Sequence, residues 1–254
     1  MGILRLKVTL AEIQPPVWRR VEVPADLTLH GLHKVIQAAF GWSGTHLHEF
    51  NVQGVRLAPP DPDSADRVVD SRKQPLAAFE GKVQAFDYTY DFGDDWGHHI
   101  EIEAWTQAET GVSYPRCLDG TRACPPEDCG GPPGYEDLLS ALGDPKHERH
   151  EELTEWLAEI YDGNRLGWKP EAFDLAETNA ALKRLRLPKP QVGAGPWAKV
   201  TSKGPKPLVG HVERDEILEG MMAELKGVKM TPELEKIFKD MAKMRTGGGN
   251  NESR

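Results

Sequence analysis

The sequence predicts an α+β fold: a mainly antiparallel, curled sheet of five or six strands around one long helix, with a second helical layer and a C-terminal helical appendage. Three observations predict it. Apolar residues alternate with polar ones through separate stretches of the first half of the chain, the period of half-buried strands. Helical spacing occurs once among those strands, between residues 28 and 40. It returns three times between residues 135 and 185, and twice more beyond a proline- and glycine-rich stretch.

Taken in order, residues 3–12 place Leu4, Leu6, Val8 and Leu10 on one face and Arg5, Lys7 and Thr9 on the other, a first strand. Pro15 and Pro16 interrupt the pattern before Val17 to Val23 resume it. Asp26 or Thr28 suits the cap of a helix whose stripe is Leu29, Leu32, Val35, Ile36, Ala39 and Phe40, and Gly41 ends it. His46 to Val52 reads as a third strand, with a short partner around Val55 to Leu57.

The densest signal lies between residues 83 and 130. Phe86, Tyr88, Tyr90 and Phe92 recur with period two, Gly93, Asp94 and Asp95 supply turn chemistry, and a second run from Trp96 to Trp105 completes a hairpin. In that run Trp96, His98, Ile100 and Ile102 share one face, and His99, Glu101, Glu103 and Trp105 the other. A loop rich in proline and glycine then holds all three cysteines, Cys117, Cys124 and Cys129. Helices follow over Tyr135 to Leu142, Glu148 to Tyr161, and from a cap at Asp174 to about Leu185.

The phrases Tyr88-Thr89-Tyr90-Asp91-Phe92-Gly93-Asp94-Asp95-Trp96 and Cys124-Pro125-Pro126-Glu127-Asp128-Cys129-Gly130-Gly131-Pro132 carry a resemblance, together with Pro16-Val17-Trp18-Arg19-Arg20, Ala39-Phe40-Gly41-Trp42 and His46-Leu47-His48-Glu49-Phe50. In this order they resemble the plasmid pRiA4b ORF-3-like family over roughly residues 3–185. The resemblance implies a bacterial or archaeal α+β domain of unassigned biochemistry, some of whose members are named as passengers of insertion elements.

Domain organisation follows from composition. Residues 1–187 are expected to form the α+β domain, 188–207 a Pro/Gly/Lys linker, 208–246 an amphipathic helical hairpin and 247–254 a disordered tail. No run of the 254 residues approaches a membrane span and no signal peptide opens the chain, so a cytoplasmic protein without a membrane partner is expected. Three cysteines without an export signal argue for free thiols or a metal site over a disulfide framework. The net charge of −9 conceals a basic strip of Lys183, Arg184, Arg186, Lys189, Lys199, Lys203 and Lys206. With those seven charges set aside the rest of the chain carries −16, which repels nucleic acid except at the strip itself.

Four groups of residues are candidates for function. A zinc ion would take Cys117, Cys124 and Cys129 with a distant histidine such as His98, although the spacing lacks the tight CxxC knuckle. His46, His48, Asp91, Asp94, Asp95 and His99 offer a hard-metal or acid/base site, against the plainer reading of core histidines and turn aspartates. Pro125-Pro126-Glu127-Asp128 offers a rigid carboxylate pair that caps nearby helices or meets a basic partner. Leu218, Met221, Met222 and Leu225 on one C-terminal helix, and Leu234, Phe238 and Met241 on the other, form apolar stripes suited to a protein partner or self-association. The leading expectation is a non-enzymatic binding or accessory module; the alternatives are a metal-dependent, hydrolase-like enzyme using the His/Asp group, and weak nucleic-acid binding through residues 183–206.

Overall fold

The structure, a computed structural model, describes residues 1–61, 68–161, 168–189 and 195–197. The chain divides into two units, Met1–Pro207 and Leu208–Arg254, and every described residue belongs to the first. The apolar stripes expected to bind a partner, from Leu218 to Met241, and residues 199–206 of the basic strip lie outside the described residues.

Among the described residues the strands are β1 (Gly2–Leu10), β2 (Trp18–Pro24), β3 (His48–Val52), β4 (Val55–Ala58), β5 (Val69–Asp70), β6 (Ala85–Tyr90), β7 (Trp96–Gln107) and β8 (Arg116–Thr121). The helices are α1 (Leu29–Phe40), α2 (Gly131–Gly143), α3 (His150–Ile160) and α4 (Leu175–Arg184). The strands form one sheet in the order β5-β4-β3-β6-β7-β1-β2-β8, antiparallel throughout except for the β4–β5 pair. Eight strands exceed the expected five or six because β5 is only two residues long and β8 lies inside the cysteine loop. Asp119 and Gly120 disfavour a strand in isolation, and pairing with β2 overrides that preference.

The core forms where the alternation predicts it. Leu4, Leu6, Val8 and Leu10 of β1 are buried with Phe50, Phe86, Tyr88, Tyr90, Trp96 and Ile100. Across that face lies α1, capped by the Thr28 side chain, which accepts from the Gly31 amide, and ended by Gly41 at φ 88°. Among the described residues it is one helix of four and not the longest: α1 has 12 residues and α2 has 13. Helix α2 begins four residues before the expected Tyr135, because Pro132 and Pro133 sit in its first turn, where a missing amide hydrogen costs nothing. As expected, Asp174 caps α4, accepting from the amides of Ala176 and Glu177.

Two aromatic residues depart from the expected faces. Phe92 is exposed because β6 stops at Tyr90 and the turn carries the next residues outward. Trp105 packs against the core because a bulge in the β1–β7 pairing, between Arg5 and Leu6, leaves Glu103 without a register partner and sets Trp105 opposite Leu4.

Two further contacts lie at the sheet edge and in the stretch expected to be linker. Edge strand β8 lies against α4, where the Asn179 side chain accepts from the Cys117 amide and donates to the Cys117 carbonyl, both at 2.9 Å. Trp197, inside the stretch expected to be linker, is buried; its amide donates to Gln74 Oε1 at 2.8 Å and its ring meets Phe79 edge-on.

Candidate functional site

Three segments meet at one end of the sheet: the loop that leaves α1, the turn between β6 and β7, and the cysteine loop. Gly41 turns the chain out of α1, and Trp42 then stacks on Tyr90 and donates from its indole nitrogen to the Pro125 carbonyl at 3.0 Å. Glu127 fastens the same loop: its carboxylate accepts from the Ser43 amide at 2.8 Å, the Ser43 hydroxyl at 3.0 Å and the Tyr90 hydroxyl at 2.6 Å. Burial, then the neighbouring Glu127, pushes the Tyr90 phenol up to about 12, so it remains a donor. On the hairpin side the Gly130 amide donates to Asp94 Oδ2. Gly131 fits only as glycine, since a Cβ there would lie 2.3 Å from the Asp94 carbonyl oxygen at a φ of +67°.

This stapling sets His46 between two carboxylates. His46 Nδ1 lies 3.6 Å from Asp91 Oδ2, and Nε2 lies 3.3 Å from Asp128 Oδ1. Asp91 is buried and its amide donates to the Leu47 carbonyl, whereas Asp128 is open to solvent. Both aspartates hold left-handed backbone, φ 57° and 60°, which an L-residue adopts at a cost and which here aims each side chain at His46. One ligand atom from each of His46, Asp91 and Asp128 lies within 4.8 Å of the others, and among the described residues this is the one such set of three.

Behind the site lies a second group of histidines, His33 and His48 buried and His30 half-buried. His33 of α1 stacks on His48 with centroids 3.5 Å apart and planes 1° from parallel, and His30 lies 5.9 Å from each. His33 Nδ1 is 2.8 Å from the Tyr88 hydroxyl, which also accepts from Gln37 Nε2 at 3.0 Å. Among the described residues His30 Nδ1, Gln37 Oε1 and His48 Nε2 are buried without a hydrogen-bond partner. Burial, reinforced by the adjacent imidazoles, pushes His33 down to about 2, and burial with His30 pushes His48 to about 4.

Of the residues singled out in the sequence, His46 and Asp91 come together. His48 turns inward to His33. Asp94 and Asp95 form the turn, Asp94 holding the cysteine loop and Asp95 closing onto the Asp91 carbonyl. His99 is exposed and pairs with Asp87 at 2.9 Å, since the odd positions of β7 before the bulge face the opposite side of the sheet from the core. The zinc set does not gather: His98 is buried against Phe40 and Trp42 with Nδ1 on the Trp96 carbonyl, while the Cys117 thiol donates to the Asp119 carbonyl. Burial raises the Cys124 thiol, and burial with Asp94 and Asp128 raises Cys129 to about 12, so these cysteines are held as neutral thiols.

The segments that converge here are the same phrases that carried the family resemblance, and the sequence matches the plasmid pRiA4b ORF-3-like proteins over residues 2–177. The chain belongs to that family. A similar protein is the uncharacterized protein y4hQ of Sinorhizobium fredii strain NGR234, 46% identical over 157 residues that cover 61% of this chain and 80% of y4hQ. Among solved structures, this pRiA4b ORF-3-like chain is similar to MM3350 of Methanosarcina mazei Go1, a protein of unknown function. The TM-score is 0.61 at 36% identity, over 69% of this chain and 97% of that one.

Asp128 is the site residue that sequence reasoning placed elsewhere, as a helix cap or a partner-facing acid. Its signal was present in Cys129-Gly130-Gly131, a sharp turn that bends the acidic pair away from α2 and onto the hairpin.

Proposed function

We propose that this pRiA4b ORF-3-like domain is a metal-dependent module in which His46, Asp91 and Asp128 hold a divalent cation for hydrolase-like chemistry. The observation that carries this reading is the convergence of one imidazole and two carboxylates from three separate segments, at two backbone positions of unfavourable φ. One nitrogen with two carboxylate oxygens suits Mn²⁺, Fe²⁺ or Zn²⁺ better than Ca²⁺, which prefers an all-oxygen shell. A cation bound there supplies polarisation of a carbonyl or activation of water. The protein's own part is to fix the ligands: Glu127, through Ser43 and Tyr90, holds the loop that presents Asp128, and the Leu47 carbonyl holds Asp91.

The apolar stripes expected to bind a partner, within residues 208–246, lie outside the described residues. Local acidity weighs against nucleic acid as a ligand of the cation site, because Asp91, Asp94, Asp95, Glu127 and Asp128 crowd around it. No helix among the described residues is long and apolar enough to cross a membrane.

Titration of the metal-free protein with MnCl₂ and ZnCl₂ by calorimetry tests the proposal. One equivalent should bind, and His46→Gln, Asp91→Asn and Asp128→Asn should each weaken binding at least about tenfold, since losing even an outer-shell partner of a ligand costs about 10–100-fold. Binding that survives all three substitutions would place the cation elsewhere.

A further inference from the structure

Beside Asp128 a cleft of about 280 Å³ opens between the cysteine loop and the α2–α3 pair, lined by Cys129, Leu138, Leu153 and Trp156 with Arg149 and Glu152. The volume is just below the range of about 300–1,000 Å³ typical of drug-sized ligands, so it suits one group the size of a large side chain. The apolar half is Leu138, Leu153 and the half-buried Trp156.

We infer that this cleft receives a cationic amine bearing one aromatic or branched aliphatic group, the chemistry of an apolar N-terminal residue of a peptide, with its charge toward Asp128. The one cation in the lining, Arg149, is already engaged. Its Nε and Nη2 donate to the two oxygens of Glu152 at 3.0 and 2.7 Å, and its Nη1 donates to Asp137. Three of its five N–H groups are used, and two carboxylates, Glu152 and Asp137, offset its charge, so it offers an anion little net attraction. The Asp128 carboxylate at the other end is 71% exposed, and Glu127 and Asp94 stand close behind it. Even when a divalent cation neutralises Asp91 and Asp128, those remaining carboxylates keep the field negative. An amine is attracted there, and a phosphate or carboxylate ligand is repelled. The inference rests on the cation reading only at the Asp128 end; the apolar half and the charge-paired Arg149 stand without it.

Three probes that differ mainly in charge test it: phenethylamine, 2-phenylethanol and phenylacetate, each titrated into the full chain with and without one equivalent of Mn²⁺. The amine should bind at least about tenfold more tightly than phenylacetate, a difference of about 1.4 kcal/mol, with the alcohol between them. Trp156→Ala should weaken the amine about tenfold while the thermal transition stays cooperative. Glu152→Gln, an exposed change that frees Arg149, should raise phenylacetate affinity and narrow the gap. Phenylacetate binding as tightly as the amine, amine binding indifferent to Trp156→Ala, or no probe binding at all would each overturn the inference. Amine binding in a protein that takes up no Mn²⁺ would support the cleft and sink the cation reading alone. Mn²⁺ uptake without amine binding would do the reverse.

Discussion

The two ends of α1 treat a buried base in opposite ways. At the C-terminal end the Arg19 guanidinium, 3% exposed, donates to the carbonyls of Ala39, Trp18, Thr121 and Arg122 and lies between the rings of Phe40 and Phe173. Toward the other end, His33 and His48 stack face to face while Gln37 Oε1 and His48 Nε2 lack partners among the described residues. Matched donors and acceptors make a buried charge tolerable and rigid, whereas unmatched ones are costly. The Arg19 socket adds stability, and the stacked histidines give some up.

The comparison breaks most visibly at Arg19. Arg19→Met should strand four carbonyls and cost on the order of 4 kcal/mol, given about 1–3 kcal/mol for each buried group left unpaired and some relaxation. Urea denaturation reads this directly, and a loss below about 1 kcal/mol would deny the socket its structural role. Next is Gly131→Ala, which drives a methyl into the Asp94 carbonyl and should cost about 2 kcal/mol through clash and backbone strain. Cation affinity should fall with it, because the loop carrying Asp128 can no longer seat on the hairpin; unaltered affinity would uncouple the turn from the site.

A pH-dependent effect of similar size tests the histidine end. His33 is neutral in the folded protein down to about pH 2, whereas in the unfolded chain it gains a proton near its ordinary value of about 6.5. Between those values the unfolded state binds the extra proton, so stability falls as pH falls through that window, by about 1.4 kcal/mol per pH unit for each such histidine. His48 and His98 act in the same direction down to about 4. His33→Gln should therefore flatten the loss of stability between pH 6 and 4 by about one proton; an unchanged slope would mean that His33 is not held neutral. Smallest is Asp128→Gly, which relieves a φ of 60°. It should raise stability by up to about 1 kcal/mol in the metal-free protein while abolishing cation binding, and a destabilised variant would mean that Asp128 supports the fold instead.

Much of the fold could be read from spacing alone, since Leu4 to Leu10 and Phe86 to Tyr90 are buried at the alternate positions their pattern demands. What escaped was long-range. Nothing local around Trp105 announces a bulge decided by its pairing with β1, and nothing in Cys117 to Gly120 announces a strand that exists by pairing with β2. The site was legible by half. His46 and Asp91 stood out as residues able to bind metal, but Asp128 lies 82 positions after His46, and Glu127 joins them only through Ser43 and Tyr90.

The Asn179 side chain that mimics a neighbouring strand at Cys117 has a consequence for life in a crowded cell. A sheet's last strand normally offers its amides and carbonyls to any passing chain. Here α4 occupies the Cys117 pair with an amide of its own, and the opposite border shrinks to the two residues of β5, flanked by the charged pair Asp70 and Arg72. At one border the Cys117 amide and carbonyl are closed to a second molecule, and at the other β5 offers only two residues of template, so among the described residues the sheet presents little edge for a second copy to extend.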